Sequence, residues 1–311
     1  MVVYLDSNSR PLSSTDLSSP KSALSTVLSC PALAQSALRL VSTPPIQAGP
    51  AGLLYLHQRE CAFVRRTDPA VQLLASDDAT TCHLVAVRNP ATGDTLLCHF
   101  DGAGATSLVF IVDERFCGSG FPDSRGESAS LTQELLQAFR RSRLHFRLRT
   151  ACLAPSNGAR RGADNLVYPV ITGLVMSVAD GSLTPAKVPL PVRGPWQALR
   201  GLRFLSREDV VFEVYDPDSH CLVLRPFDYS GSQIFDAYAD APDSALAKLS
   251  TSPRQEPPHF VANLRQALRF GRANKRPARQ VFHLGNIVER PLPGGLWQHG
   301  AGAAESDLKT A

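Results

Sequence analysis

The sequence of 311 residues contains no apolar run of the roughly 20 residues that a membrane-spanning helix needs. Its first residues lack the basic and apolar regions of a secretory signal. An organelle transit peptide is disfavoured as well, because Asp6 and Asp16 occur early and such peptides are poor in acidic residues. We therefore expect a protein without a membrane partner, located in the cytoplasm or the nucleus.

The seven cysteines also lack a recognisable arrangement, since they are scattered, odd in number and include no C-x-x-C pair. This pattern predicts neither a disulfide framework nor a zinc site, and it fits a reducing compartment. The charge is equally uninformative, because 32 basic against 28 acidic residues leave a net charge of only +4. Such a small excess gives no reason to expect a nucleic-acid partner.

Short apolar runs typical of strands alternate irregularly with helical patterns, and 43% of the residues are hydrophobic. Without regular βαβ alternation this favours an α+β sandwich over a doubly wound sheet. Helices are predicted within 22–40, interrupted by Pro31, over 130–141, and after Pro257 and Pro258. We expect an N-terminal arm with short helices at 1–48, a main catalytic domain at 49–290, and a Gly-rich tail at 291–311.

The stretch ASDDATTCHLVAVRNPATGDTLLCHFDG, residues 75–102, reads as two strands joined by a turn. If Arg88 faces Thr95 across a symmetric turn, His99 becomes the diagonal neighbour of Cys82 on the same face. The two Cβ atoms would then be about 7 Å apart. His83 points to the opposite face, because neighbouring residues of a strand alternate, although a one-residue bulge would reverse the assignment.

A thiol close to an imidazole predicts a nucleophile and its base. The ordinary thiol pKa of about 8.5 leaves little thiolate at neutral pH unless a base accepts the proton. The alternative interpretation is that Cys82 is an unreactive buried thiol. The base also needs an orienting partner, and the nearby polar candidates are Ser76, Asp77, Asp78, Thr80, Thr81 and Asp101.

Five segments resemble blocks of the protein N-terminal asparagine amidohydrolases, in the order of that family. They are GLLYLHQRE (52–60), SDDATTCHLV (76–85), CHFDG (98–102), YPVITG (168–173) and LSTSPRQEPPHFV (249–261). The resemblance covers about residues 45 to 270. It implies hydrolysis of an N-terminal Asn to Asp with release of ammonia, in the N-degron pathway, on protein or peptide substrates with a free N-terminal Asn. It also implies that Cys82 is the nucleophile and His99 its base.

A more distant similarity connects the chain to bacterial chemoreceptor glutamine deamidases and to toxins of the cytotoxic necrotizing factor type. It depends on a Cys followed by a His one hairpin later, with a hydroxyl residue shortly before the Cys. This resemblance implies an α/β/β sandwich and suggests that Ser76 orients His99. The expected reaction passes through a thioester and needs no metal or cofactor.

Selectivity for a chain terminus requires a carboxylate for the free α-ammonium, because a buried ammonium without a counter-charge is costly. Asp77 is the first candidate, followed by Asp78 and Glu60, and Thr81 completes the predicted substrate-binding residues. We expect a monomer. The role of the segment STSPRQEPPHF is not predicted beyond a turn that leads into a helix.

Three alternatives remain open. A Cys-His peptidase would share the pair of residues but cleave a backbone amide, and a protein glutamine deamidase would act on an internal side chain. In the third alternative the protein is a non-enzymatic scaffold whose alternating basic face, Arg143 to Arg149, binds an acidic partner.

Overall fold

The computed structural model describes residues 3–5, 11–103, 119–120, 127–142, 144–153, 156–157, 160–161, 167–292 and 297–298. The helices are α1 (Pro20–Leu28), α2 (Pro31–Ser42), α3 (Glu127–Arg141), α4 (Gln197–Arg200), α5 (Ile234–Tyr238), α6 (Asp243–Ala247), α7 (Phe260–Ala273) and α8 (Pro277–Gln280), with 3-10 turns at Leu190–Val192 and Gly201–Leu205. The strands are β1 (Val3–Tyr4), β2 (Ile46–Gln47), β3 (Leu53–Tyr55), β4 (Glu60–Val64), β5 (Leu73–Ser76), β6 (His83–Arg88), β7 (Thr95–Phe100), β8 (Ser119–Gly120), β9 (Phe146–Arg147), β10 (Cys152–Leu153), β11 (Arg160–Arg161), β12 (Val167–Tyr168), β13 (Leu174–Ser177), β14 (Leu183–Lys187), β15 (Phe212–Glu213), β16 (Tyr215–Asp216), β17 (Cys221–Leu224), β18 (Ile287–Pro291) and β19 (Trp297–Gln298).

Two sheets face each other across the main core. One has the strand order β15-β4-β7-β6, and the other has the order β2-β14-β13-β5-β3. Apolar side chains of both sheets meet in one cluster, for example Leu84 and Leu97 from the first sheet and Leu74 and Leu174 from the second. A further sheet, β16-β17-β18-β19, adds strands from the C-terminal part of the chain.

Every residue of β6 and β7 is buried, because this hairpin is covered on both faces. Val85 and Phe100 point away from the facing sheet and pack with Leu135 and Phe139 of α3. The middle of the molecule therefore has three layers, which are helix, sheet and sheet. The mixed α+β class predicted from the sequence is confirmed.

The helices begin where the sequence provides a local signal. The Ser19 side chain caps α1 by accepting a hydrogen bond from the Ser22 backbone N–H at 3.1 Å, and Pro20 follows at the first position. Pro31 begins α2, as predicted. The late helix α7 begins just after the Pro-Pro pair and packs against α4, α5 and α6.

The alternating pattern at 143–149 is typical of a strand, but in the structure the strand there, β9, contains only two residues and pairs in parallel with β1. Arg143 lies outside the described residues, as do most of the segment 104–126 and most of the predicted tail. The domain limits at 48 and 290 stay predictions. Side chains of α1 and α2, such as Val27 and Ala37, are buried in the same clusters as the two sheets.

Within the described ranges, no single helix is long and apolar enough to cross a membrane. The helices α1 and α2 reach the required length and apolarity only when they are taken together, across a bend of 80°.

Candidate active site

Cys82 and His99 lie on the same face of the β6–β7 hairpin. Arg88 pairs with Thr95 and Leu84 pairs with His99, which is the register predicted from the sequence. Cys82 comes directly before β6, is half-buried, and packs against the core between the two sheets. Both side chains line one cavity of about 670 Å³, a size ordinary for a small-molecule or peptide-terminus site.

The neighbouring histidine, His83, faces the other way. Its Nε2 atom is 2.8 Å from Oγ1 of Thr132 on α3, and its side chain is fully buried. Cys98 is likewise buried in the cluster that contacts α3. Neither residue lines the cavity, so the hairpin presents one thiol and one imidazole to it.

Ser76, at the end of β5 in the facing sheet, holds the His99 ring. Its hydroxyl donates to the Leu56 carbonyl oxygen at 2.7 Å and lies 2.8 Å from Nδ1 of His99. A hydroxyl has a single proton, so Ser76 must accept the second hydrogen bond from an Nδ1–H group. The hydrogen-bond network thus assigns the proton to Nδ1 and leaves the lone pair on Nε2, where a base needs it.

Both members of the pair are uncharged at rest. Burial raises the pKa of the Cys82 thiol well above its usual range, and the nearby charges of Asp101 and Glu256 act in the same direction. Burial lowers the pKa of His99 to about 4. An attack by the Cys82 sulfur on a substrate would therefore require simultaneous proton transfer to the imidazole, unlike in enzymes that maintain a thiolate–imidazolium pair.

Alkylation of Cys82 by iodoacetamide should accelerate about tenfold per pH unit from pH 7 to pH 9 without reaching a plateau. The physical reason is that the thiolate fraction keeps rising with pH as long as the pH is below the raised thiol pKa. Peptide mass spectrometry of the protein, labelled for fixed times across this range, would measure the rate at Cys82. A plateau beginning below pH 7 would contradict the uncharged resting pair.

The two aspartates that precede Cys82 are held by a single arginine. Arg193 contacts Asp77 at 2.9 Å and Asp78 at 2.6 Å. Asp77 also accepts hydrogen bonds from the Tyr55 hydroxyl and the Val188 backbone N–H, both at 2.7 Å. Burial and the neighbouring Asp78 raise the pKa of Asp77 to about 6. The predicted role of these carboxylates in binding an ammonium group stays a prediction, and the structure shows that both already have a cationic partner.

Asp78 has a backbone φ of 58°, in the left-handed region, which turns the chain sharply before Cys82. Gly173, directly before the neighbouring strand β13 of the same sheet, makes this turn possible. A Cβ atom at position 173 would lie 2.4 Å from Cβ of Asp77. The glycine of the segment YPVITG is therefore needed for the close approach of the 77–82 loop.

Glu60, another predicted substrate-binding residue, is not among the residues that line the cavity. Its carboxylate is fully buried and contacts Arg200 at 2.6 Å and Arg203 at 3.0 Å. Burial raises the pKa of Glu60, but the two guanidinium groups outweigh burial and lower it to about 2. This carboxylate therefore pairs with two buried arginines, one of which, Arg200, lines the cavity.

The segment 250–259, whose role the sequence does not predict, clamps the 77–82 loop. The Ser252 hydroxyl donates a hydrogen bond to the Thr80 hydroxyl at 2.8 Å. The hydroxyl oxygens of Thr81 and Thr251 are 3.0 Å apart. Nε2 of His259 lies 2.8 Å from the Asp78 carboxylate. Thr81 thus lines the cavity with its hydroxyl already bonded to this segment. The clamp fixes the chain directly before the thiol.

Sequence reasoning missed several polar residues of the cavity, among them His57 and Glu256. The Nε2 atom of His57 is buried without a hydrogen-bond partner, and burial together with the charge of Arg200 lowers the pKa of this imidazole well below its usual range. Both residues fall within segments that carry the family resemblance, which was the only signal available for them.

Among the described residues, no group of three or more His, Cys, Asp or Glu side chains is arranged to hold a metal ion. A second cavity of about 600 Å³ lies between α2 and residues 148–150. Its described lining contains no Cys, His, Asp or Glu side chain, so of these two cavities only that of Cys82 has a thiol or an imidazole among its described lining residues.

A family model described as protein N-terminal asparagine amidohydrolase matches residues 43–298 of the chain. The protein N-terminal asparagine amidohydrolase of Homo sapiens is 33% identical over 297 residues, which are 90% of this chain and 94% of the human protein. Proteins of the same name from Sus scrofa and Mus musculus are 32% and 31% identical, over 92% and 90% of this chain and 96% and 94% of their own lengths. The matched region includes Cys82, His99, Ser76 and the clamp at 250–259.

Proposed function

Because the chain belongs to the protein N-terminal asparagine amidohydrolase family, we propose that Cys82 and His99 together hydrolyse the side-chain amide of an N-terminal asparagine. The family makes the protein an amidohydrolase that acts on N-terminal Asn. The finer proposal concerns the route, which is a thioester on Cys82. The single observation that carries it is the shared cavity face of Cys82 and His99, with the Ser76 hydroxyl on Nδ1.

In the first step the Cys82 sulfur attacks the carboxamide carbon while its proton moves to Nε2 of His99. The tetrahedral intermediate collapses when His99 returns this proton to the amide nitrogen, and the carbon–nitrogen bond breaks. Ammonia leaves, and the acyl group stays on sulfur as a thioester. Backbone N–H groups next to Cys82 stabilise the oxyanion, since such donors are the usual means in acyl transfer.

In the second step His99 accepts a proton from water as the water oxygen attacks the thioester carbon. The carbon–sulfur bond then breaks, the sulfur recovers the proton from His99, and the product is an N-terminal Asp. One amide and one water are consumed, and one carboxylic acid and one ammonia are formed. No redox change occurs, and the residues that act are Cys82, His99 and, as the orienting residue, Ser76.

The layering supports a structural relation to the Cys-His deamidases. A helix layer, the sheet that carries the hairpin, and the facing sheet that carries Ser76 form an arrangement of the α/β/β kind. We propose the N-degron pathway as the setting, with proteins or peptides bearing a free N-terminal Asn as substrates. The cytoplasm or nucleus as location and the monomeric state belong to the same proposal.

A peptide that begins with Asn should gain about one dalton and release one ammonia when it is incubated with the protein, since hydrolysis replaces NH2 by OH. A peptide differing only by Gln at the first position would measure tolerance of the longer side chain. Coupled ammonia detection and mass spectrometry report both products. Appearance of a shorter peptide would instead support a Cys-His peptidase, and reaction at an internal Gln would support a protein glutamine deamidase.

A further inference from the structure

A substrate with a free N-terminus brings a positive charge into the cavity. The inference drawn from this charge rests on the proposed function, because it concerns the same site. An ammonium group taken out of water needs a negative partner close to it. Three bonds separate the amine nitrogen of Asn from its carboxamide carbon. The partner must therefore lie in the cavity beside Cys82.

Most carboxylates around the cavity already have a cation. Asp77 and Asp78 share Arg193, and Asp101 contacts Arg59 at 2.7 Å. Replacing such a partner with the substrate would require the existing ion pair to break inside the protein, which is strongly unfavourable for a buried pair. These aspartates are therefore poor sites for a second cation.

Glu256 differs from them, because no lysine or arginine in the part of the chain that the structure describes pairs with it. Its Oε1 atom accepts hydrogen bonds from the Ser250 hydroxyl and, at 3.4 Å, from the Thr80 hydroxyl. Thr80 is in turn held by Ser252. The hydroxyls of Ser250 and Thr80 thus hold Oε1, and the Ser252 side chain adds a further hydrogen bond to the carboxylate, so its partners are neutral hydroxyl groups.

The position of Glu256 also suits an ammonium partner. It lines the cavity of Cys82 and is half-buried, and its hydrogen-bond partner Thr80 is two residues before the nucleophile. Its charge is close enough to contribute to the raised pKa of the Cys82 thiol. Glu134 is the other cavity carboxylate without a recorded ion pair, but it is exposed, so water screens its charge.

We propose that Glu256 binds the α-ammonium group of the substrate and makes the enzyme selective for a free N-terminus. Burial raises the pKa of this carboxyl to about 7, as expected for a partly buried carboxylate that has no cationic partner among the described residues. The clamp at 250–259 then has two functions, because it holds the 77–82 loop and presents the recognition group.

The test uses two peptides that differ only in their first group. One begins with Asn, and the other begins with a succinamoyl group, which is Asn without its α-amine. The wild-type protein should favour the Asn peptide at least a hundredfold in kcat/KM. Glu256→Gln keeps the size and the acceptor oxygen for Ser250 but removes the charge. It should reduce this preference at least tenfold, by slowing the Asn peptide and leaving the succinamoyl peptide within about threefold of wild type.

Glu134→Gln is the matched control, and it should keep the wild-type preference. An unchanged preference in Glu256→Gln would overturn the proposal, as would an equal loss for both peptides, which indicates a structural role. A preference lost in Asp77→Asn but kept in Glu256→Gln would assign the ammonium to Asp77. If the wild-type protein releases no ammonia from either peptide, the proposed deamidation is contradicted. If the protein is active but its preference does not change in Glu256→Gln, only the role of Glu256 is contradicted.

Discussion

Replacing Cys82 with alanine should abolish ammonia release from an Asn-initiated peptide, a loss of at least about a thousandfold. No other thiol of the described residues lines the cavity, so none could replace Cys82 in the proposed thioester. Loss of a nucleophile that works as a unit with its base removes nearly all of the chemical acceleration. Initial rates measured by coupled ammonia detection at saturating peptide would quantify the effect.

The matched control for this variant is Cys98→Ala, on the opposite face of the same hairpin. Cys98 is fully buried against α3, so its truncation costs stability but leaves the cavity unchanged. Thermal denaturation of both variants would separate loss of fold from loss of chemistry. Ammonia release at the wild-type rate from folded Cys82→Ala would contradict the thioester mechanism.

His99→Ala should lower kcat at least about a hundredfold, the usual contribution of a positioned acid–base group. Without the imidazole, the thiol, whose pKa burial has raised, loses the base that shares its face of the hairpin. His83→Ala provides the comparison, because His83 is adjacent to Cys82 in sequence yet bonds to Thr132 behind the sheet. This variant should retain most of its activity.

His83→Ala removes the hydrogen bond between His83 and Thr132, which is a net loss of about 0.5 to 1.5 kcal/mol of stability. Both histidine variants should therefore be assayed well below their melting temperatures. A collapse of similar size in both would contradict the assignment of the two histidines to opposite faces of the hairpin.

The arrangement of Cys82 and His99 was predictable because it is local. A symmetric turn fixes which residues pair, and the period of two along a strand then fixes the face of every side chain. The long helix α3 and the late helix α7 were predictable for a similar reason, since their apolar spacing and proline signals lie within the helices or directly before them.

The charge partners were not predictable, because they come from distant parts of the chain. Asp77 and Asp78 meet Arg193, and Thr80 meets Ser252, with more than 100 residues between them. No local periodicity encodes such contacts. The alternating pattern around Arg147 does not show how long the strand is, for a related reason: the segment pairs with the distant β1, which has two residues, so the paired part is short.

The clamp at 250–259 also sets the moment at which a newly made chain becomes active. The hairpin with Cys82 and His99 can form early in synthesis, since its contacts are local. Arg193 is synthesised 93 residues after Phe100, the end of the hairpin, and the clamp later still, so until then neither the 77–82 loop nor Glu256 has its partners. A nascent chain thus carries a thiol and an imidazole without a working site, and enzymatic activity reports completion of the fold.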